Sequence, residues 1–381
     1  RQHQELPMPP SSMSMQGLIV PPFTVAGRIN SGAFHKAKAI AMQSDASASC
    51  TVDSLLPADY DKLLVQLQTK YGGPAFLHDS GVVIHSETAG FIGDEAKLMQ
   101  WLERNGVPNA TAGAHSDGRA DSWDTIAEEA YVQLLTETGL TFAFLEISFD
   151  SQVIGRLIFE LFPDLAPNTC ENFLSLCESE AGSKGYVGTP IHRIKPGGWL
   201  QAGDVLTGNG DGGASAVGGS LSDESFSMAH SDYGILGMAN NGQHTAMSQF
   251  YVTFAATPSF DKKYVAFGKL VDGTKLLRFL EQIDCKNDRP NGELVISDAG
   301  RVAKKSLDMM TVDEDAAAVK LQAIHRQRLA RKELQEQKKA AARVQAAKRG
   351  QAARRQQKQE AEAAVKLQAI TRGHANRKRN R

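Results

Sequence analysis

The chain predicts a multidomain protein: an α/β unit over residues 17–110, a strand-rich barrel or sandwich over 143–304, and a long basic α-helix over 305–381. Three observations carry that expectation. Strand and helix periodicities alternate in the first section, and short strands broken by glycine-rich turns fill the second. Beyond Asp313 prolines and strand patterns give way to Ala, Gln, Arg and Lys, the composition of a long helix. A length of 381 residues fits two to three units at roughly 150 residues each.

Taken in order, residues 1–16 are rich in Met, Pro and Ser and predict a disordered tail. They hold no apolar core of signal-peptide length. GLIVPPFTVAG reads as a strand, AFHKAKAIAMQ and YDKLLVQLQTKYG as helices, GVVIHSETAGFIG as a hairpin and EAKLMQWLERNG as a closing helix. Residues 111–142 read as a linker of Gly, Ala, Ser and Asp followed by a short helix, IAEEAYVQLLTET. The strands FAFLEISFD and VIGRLIFELF then open a β-rich section with two helices, PNTCENFLSLCE and GTKLLRFLEQI.

Composition excludes several functions. No run approaches the ~18 apolar residues of a membrane-spanning helix, so no membrane role is expected. The four cysteines, Cys50, Cys170, Cys177 and Cys285, form no CxxC and predict reduced, mostly buried thiols in a cytoplasmic protein. His192, His230 and His244 lack metal-ligand spacing, so no metal and no cofactor is expected, and satisfied surface or core histidines are the reading. The glycine-rich 207–219 lacks the Lys-Ser/Thr ending of a phosphate loop. Net charge is −1, yet residues 316–381 carry 19 Lys and Arg against 4 Glu, which marks an interaction tail.

Four ordered stretches carry the chemistry: FELFPDLAPNTCENFLSLC, IHRIKPGGWLQAGD, GILGMANNGQHTAMSQFYVT and FDKKYVAFGKLVDG. In order and spacing they resemble the cyclophilins, peptidyl-prolyl isomerases built as a closed eight-stranded barrel with two capping helices. The resemblance implies an enzyme that needs no nucleophile. Rotation about a peptide bond costs ~18–20 kcal/mol because it breaks amide resonance, and the two X–Pro isomers lie close in energy. A twisted amide returns a lone pair to the proline nitrogen, so a fixed guanidinium in a dry groove bonds it best in the transition state. By motif, Arg193 is the catalytic donor, and Gln201 orients it and the substrate carbonyl. Trp199, Ala239, Asn240, Gln249, Tyr251, Phe260 and Tyr264 are the expected substrate-binding residues, and the partner is a proline-containing protein segment.

The sequence departs from that pattern at the pocket. Gly198 stands where the family usually has phenylalanine, Trp199 where it has methionine, Tyr251 where it has phenylalanine, Ser259 where it has tryptophan or histidine, and Tyr264 where it has histidine. A lost ring removes ~1–3 kcal/mol of binding, so a reduced isomerase activity is expected, with a silent binding domain as the alternative.

The βαβα…ββα order of 17–110 resembles a glutaredoxin-like thioredoxin fold. Where active members carry CxxC, this chain reads Ser31-Gly32-Ala33-Phe34, so the resemblance implies a redox-inactive docking domain. In the tail, Gln322, Gln345 and Gln368 recur every 23 residues. The repeats at 321–334, 344–357 and 367–380 resemble IQ motifs, which calmodulin and related EF-hand light chains clamp as helices. The resemblance assigns binding to Leu321, Gln322, Arg326, Arg331 and Leu334; to Val344, Gln345, Arg349 and Arg354; and to Leu367, Gln368, Arg372 and Arg377. A repeat in register disfavours nucleic acid as the tail's partner. What the combination implies about place is a cytoplasmic, cytoskeletal assembly, with the axoneme of cilia or flagella favoured by resemblance alone.

Overall fold

The structure, a computed structural model, describes residues 20–107, 122–179, 184–302 and individual positions between 323 and 368. In the first section, β1 (Phe23–Arg28) leads into α1 (Gly32–Gln43), β2 (Cys50–Leu55), α2 (Pro57–Tyr71) and a single turn, α3 (Gly73–Phe76). The hairpin of β3 (Val82–Ser86) and β4 (Gly90–Gly93) and the helix α4 (Glu95–Arg104) complete it. The sheet runs β2-β1-β3-β4, with β1 parallel to β2 and antiparallel to β3.

Successive strand residues face opposite sides of a sheet, and β1 shows what that builds. Val25 packs with Phe34, Ala37 and Ile40 of α1 and Leu98 and Leu102 of α4. Its neighbour Ala26 packs on the other side with Tyr60 and Leu67 of α2. Helices therefore cover both faces. Gly27 makes this possible, because a Cβ there would lie 2.5 Å from the Phe34 ring. The βαβα order implies a strand between the first two helices without locating it; the structure places it at Cys50–Leu55, where CTVDSL holds no fully buried residue.

Next comes α5 (Trp123–Glu137), which starts three residues before the expected stretch because the Ser122 hydroxyl caps the Thr125 amide at 3.2 Å. Its first turn lies on α1, where a Cβ on Gly32 would sit 3.0 Å from the Asp124 backbone nitrogen. Its far end buries Leu135, with Tyr131 and Val132 beside it, against Phe142, Phe144, Ile158, Val271 and Val302. The Tyr131 hydroxyl donates to Asp272 at 2.7 Å. This helix thus ties the first section to the barrel, and an ion pair of 2.7 Å between Lys62 and Asp232 adds a second tie.

The third section runs through β5 (Thr141–Phe149), β6 (Gln152–Leu161), α6 (Pro167–Cys177), β7 (Arg193–Lys195) and β8 (Trp199–Ala202). It continues with β9 (Ile235–Met238), β10 (Phe250–Thr253), β11 (Ala266–Asp272) and α7 (Thr274–Glu281). A two-residue hairpin, β12 (Cys285–Lys286) and β13 (Arg289–Pro290), precedes β14 (Leu294–Arg301). Eight strands form one curled antiparallel sheet ordered β14-β5-β6-β11-β9-β10-β8-β7. Among the described residues its two ends meet through a short bridge, Pro190 opposite Val295, flanked by amide bonds from Ile191 to Leu294 and from Ile296 to Thr189. The result is a half-barrel pinned shut by a short bridge, where a continuous closed barrel was expected. Leu157, Phe159, Leu200, Leu236, Val252 and Phe267 are buried within it.

Residues 314–381 form a separate unit. The tail positions described, from Ala323 to Gln368, are helical and exposed; the continuous helix expected there lies outside the described residues.

Because α5 shares its core with the barrel, the first section and the barrel are expected to unfold together. Leu135→Ala should cost ~2–5 kcal/mol and lower a single urea transition. Two separated transitions in wild type would show that α5 is no tie.

Candidate active site

The odd stretch IHRIKPGGWLQAGD resolves into two strands and a turn. Ile194, Leu200 and Ala202 are buried, while Arg193, Lys195, Trp199 and Gln201 alternate with them and point outward. Pairing is Arg193 opposite Gln201 and Gln201 opposite Tyr251, and Tyr251 in turn faces Gly237. One row across β7, β8, β10 and β9 thus carries a guanidinium, a carboxamide and a phenol on one face.

Below Gln201 the polar groups are fully occupied. Its amide donates to the Gln249 carbonyl oxygen at 2.7 Å, and the Gln249 amide donates to the backbone oxygens of Gly210 and Gly212 at 2.9 and 2.6 Å. That loop is wound around Asp204, which accepts amides from Leu206, Thr207, Gly210 and Gly212. Burial pushes the Asp204 carboxyl up, but these bonds and the Thr207 hydroxyl pull it well below the usual carboxylate range. Ala239 donates its amide to Gln249 at 2.9 Å, and the Asn240 side chain donates to the Lys263 oxygen at 2.9 Å.

The aromatic residues meet as a cluster centred on Phe260. Its ring lies 4.8 Å from Trp199, 4.6 Å from Tyr264 and 5.1 Å from Tyr251, centroid to centroid. Tyr251 is buried, and its ring leans over Gly237, where any Cβ would strike the phenol oxygen. His230 is its partner. Asp261 accepts from both the backbone amide and Nδ1 of His230 at 2.8 Å, so Nε2 is the acceptor for the Tyr251 hydroxyl at 2.5 Å. Burial pushes the Tyr251 phenol well up, keeping its proton available for that bond.

Arg193 behaves differently. Its Nε and Nη2 both donate to one oxygen of Asp288, at 3.2 and 3.1 Å, and its guanidinium lies 5.5 Å from the Trp199 ring centre. Asp288 occupies the turn between β12 and β13 in the left-handed region, φ 63°, and its carbonyl accepts the Ile194 amide at 2.7 Å. Both side chains of the pair are about two-fifths exposed. Lys195 covers the same indole at 4.8 Å. Next to Arg193, buried His192 has no hydrogen-bond partner on either ring nitrogen among the described residues, and burial lowers its pKa. His230 is satisfied, as the sequence reading expected of core histidines; His192 is not.

Every expected groove residue therefore falls in one neighbourhood: Arg193, Trp199, Gln201, Gln249, Tyr251, Phe260 and Tyr264 around the row and cluster, with Ala239 and Asn240 at its edge. Sequence reasoning missed Asp288 and Asp204. Asp204 had a usable signal, a carboxylate heading a glycine-rich loop. Asp288 lies 95 residues from Arg193 and had none. Of the tail residues, Arg326, Leu334, Gln345, Arg349, Arg354, Leu367 and Gln368 are described, helical and exposed. Leu321, Gln322, Arg331, Val344, Arg372 and Arg377 lie outside the described residues.

Comparison with known proteins agrees with this geometry. Residues 144–301 match the family described as cyclophilin type peptidyl-prolyl cis-trans isomerase/CLD. Over 232 residues the chain is 40% identical to the probable inactive peptidyl-prolyl cis-trans isomerase-like 6 of Homo sapiens, covering 58% of this chain and 71% of that relative. The chain belongs to the cyclophilin family. Relatives of the same description in Bos taurus and Mus musculus are 43% and 44% identical over 186 and 184 residues, about half of this chain. The match spans 61% of the bovine and 59% of the murine protein, less than two thirds of each. Within a cyclophilin groove, buried Tyr251 and His230, anchored to the partly exposed Asp261, form a polar support beneath an aromatic floor.

That support sets an expectation for stability. Tyr251→Phe leaves the buried His230 Nε2 unpaired and should cost ~1–3 kcal/mol in urea denaturation. An unchanged midpoint would show that the hydroxyl does not support the floor.

Proposed function

We propose that this chain holds proline-containing protein segments in its cyclophilin groove and isomerises their X–Pro bonds slowly. The observation that carries this reading is the position of Arg193, aligned with Gln201 yet engaged by Asp288. Transition-state stabilisation needs the guanidinium to reach the proline nitrogen as the amide twists. An ion pair this exposed contributes ~0–1 kcal/mol, so Asp288 competes with a substrate and does not lock it out. At about 1 kcal/mol the rate penalty is about fivefold. The absent rings at Gly198 and Ser259 add to it. The human relative is described as probably inactive, which points the same way.

Asp288→Asn tests the competition, because asparagine tolerates the left-handed region and removes the charge. With the full chain and a Pro-containing peptide, wild type should exceed the uncatalysed rate. Asp288→Asn should raise kcat/KM about two- to fivefold, and Arg193→Ala should abolish it. Wild type at the uncatalysed rate, with no gain in Asp288→Asn, would leave the silent adaptor reading in place.

We infer that the first section is a redox-inactive thioredoxin-like docking unit. Its β2-β1-β3-β4 order supports the fold, and Ser31 at the start of α1 supports the loss of chemistry. The remaining thiol of this section, Cys50, is pushed up by burial to about 11 and holds its proton near neutral pH. For the tail we propose recruitment of calmodulin or a related EF-hand light chain, supported by the 23-residue recurrence and by the exposed helical positions Leu334, Gln345 and Gln368. Tethering to a cytoskeletal, axonemal assembly completes the proposal. Titration with calmodulin should show binding by the full chain and none by a chain ending at residue 313, with Leu334→Ala weakening it. Equal response of both chains would refute the tail's role.

A further inference from the structure

The groove's departures from the family pattern do more than remove rings. Beside Trp199 lies an open pocket of about 280 Å³, and neither Arg193 nor Gln201 lines it. Two segments line it, residues 195–199 and residues 256–259. The two positions where a ring is expected by family pattern, 198 and 259, both line this space, one from each segment. Trp199 is a shared wall: its ring packs on Phe260 of the aromatic floor and also bounds the cavity.

We propose that this cavity is a second, neighbouring pocket that selects segments carrying an aromatic side chain beside their proline, with a carboxylate next to the aromatic residue. The proposal rests on the reading of the groove as a proline-segment site and names what that site prefers. Size sets the first part. An apolar cavity of ~150 Å³ holds a benzene ring, so about 280 Å³ admits a phenyl, phenol or indole and is wasted on a methyl group. Wall chemistry agrees: an indole edge, two proline rings and an alanine methyl are apolar and flat, the surfaces on which rings stack. Charge sets the second part. Lys195 lines the same cavity and its ammonium rests over Trp199 at 4.8 Å, with no carboxylate partner among the described residues. Glu281 of α7 accepts the Gly197 amide of this turn at 2.9 Å and makes no ion pair with Lys195. A carboxylate on the segment gives Lys195 its counter-charge.

Labelled peptides Ala-Ala-Pro-Phe-Glu-Ala and Ala-Ala-Pro-Ala-Glu-Ala, titrated into the full chain by fluorescence polarisation, test this, together with the pair that places Phe before the proline. In one of the two orders the Phe peptide should bind about tenfold tighter than its Ala counterpart. Ser259→Trp, at an exposed position, should refill the space and bring the Phe-to-Ala affinity ratio to about one, with the Ala peptide binding at least as tightly as in wild type because a ring is restored. Gly198→Phe enters from the other segment, its Cβ 3.3 Å from the Lys195 backbone oxygen, and should do the same, so the inference does not hang on one variant. Replacing Glu with Gln in the peptide should weaken binding in wild type and not in Lys195→Gln. Equal binding of Phe and Ala peptides, or a preference that survives both filled variants, overturns the pocket and leaves the groove reading standing. Binding by none of the peptides overturns the groove reading as well.

Discussion

The site depends on one guanidinium that a carboxylate and an indole face both hold, and for which, in the function we propose, an incoming proline nitrogen competes. Arg193 is placed by strand pairing, so its backbone position is fixed by the sheet. Its head group is not. Asp288 takes two of its donors, and Trp199 offers a π face. Because the pair is open to water, the free-energy difference between these states is of the order of 1 kcal/mol. Such a difference alters a rate several-fold; it does not decide between an enzyme and a scaffold by itself.

The surroundings explain why the rest of the groove stays ordered despite its altered rings. Gln201 and Gln249 are held by a loop wound on Asp204, a carboxylate whose bonds keep it ionised. Tyr251 adds a hydroxyl beneath the floor, and His230 and Asp261 satisfy it. A polar group added to a core is tolerated only when its partners are complete. At Tyr251 they are, and the phenol therefore costs the fold little. Gly198 and Ser259 line an open pocket beside Trp199.

Much of this was legible in the residues. The period-two alternation of Ile194, Leu200 and Ala202 with Arg193, Trp199 and Gln201 dictates which side chains turn outward. Ordered motifs separated by tens of residues identified the family, and the helix patterns of α4, α6 and α7 gave their extents closely. What stayed hidden was long-range or conformational. Asp288 becomes a partner only because a two-residue turn in the left-handed region brings it to β7. The strand at 50–55 is half-exposed and carries a weak hydrophobic signal. Helix α5 reads as a linker element, yet Leu135 and Tyr131 make it a joint between two cores. No periodicity encodes which two surfaces one helix will touch.

The most direct test observes the guanidinium itself. In an NMR spectrum of the full chain, the Arg193 Nε–H resonance is predicted to move in Asp288→Asn, which removes its charged acceptor. Adding a proline-containing peptide to wild type should shift that resonance as the head group turns toward the bound amide. A resonance indifferent to both the Asp288 substitution and the peptide would contradict the account, because Arg193 would then be neither restrained by the carboxylate nor available to the proline.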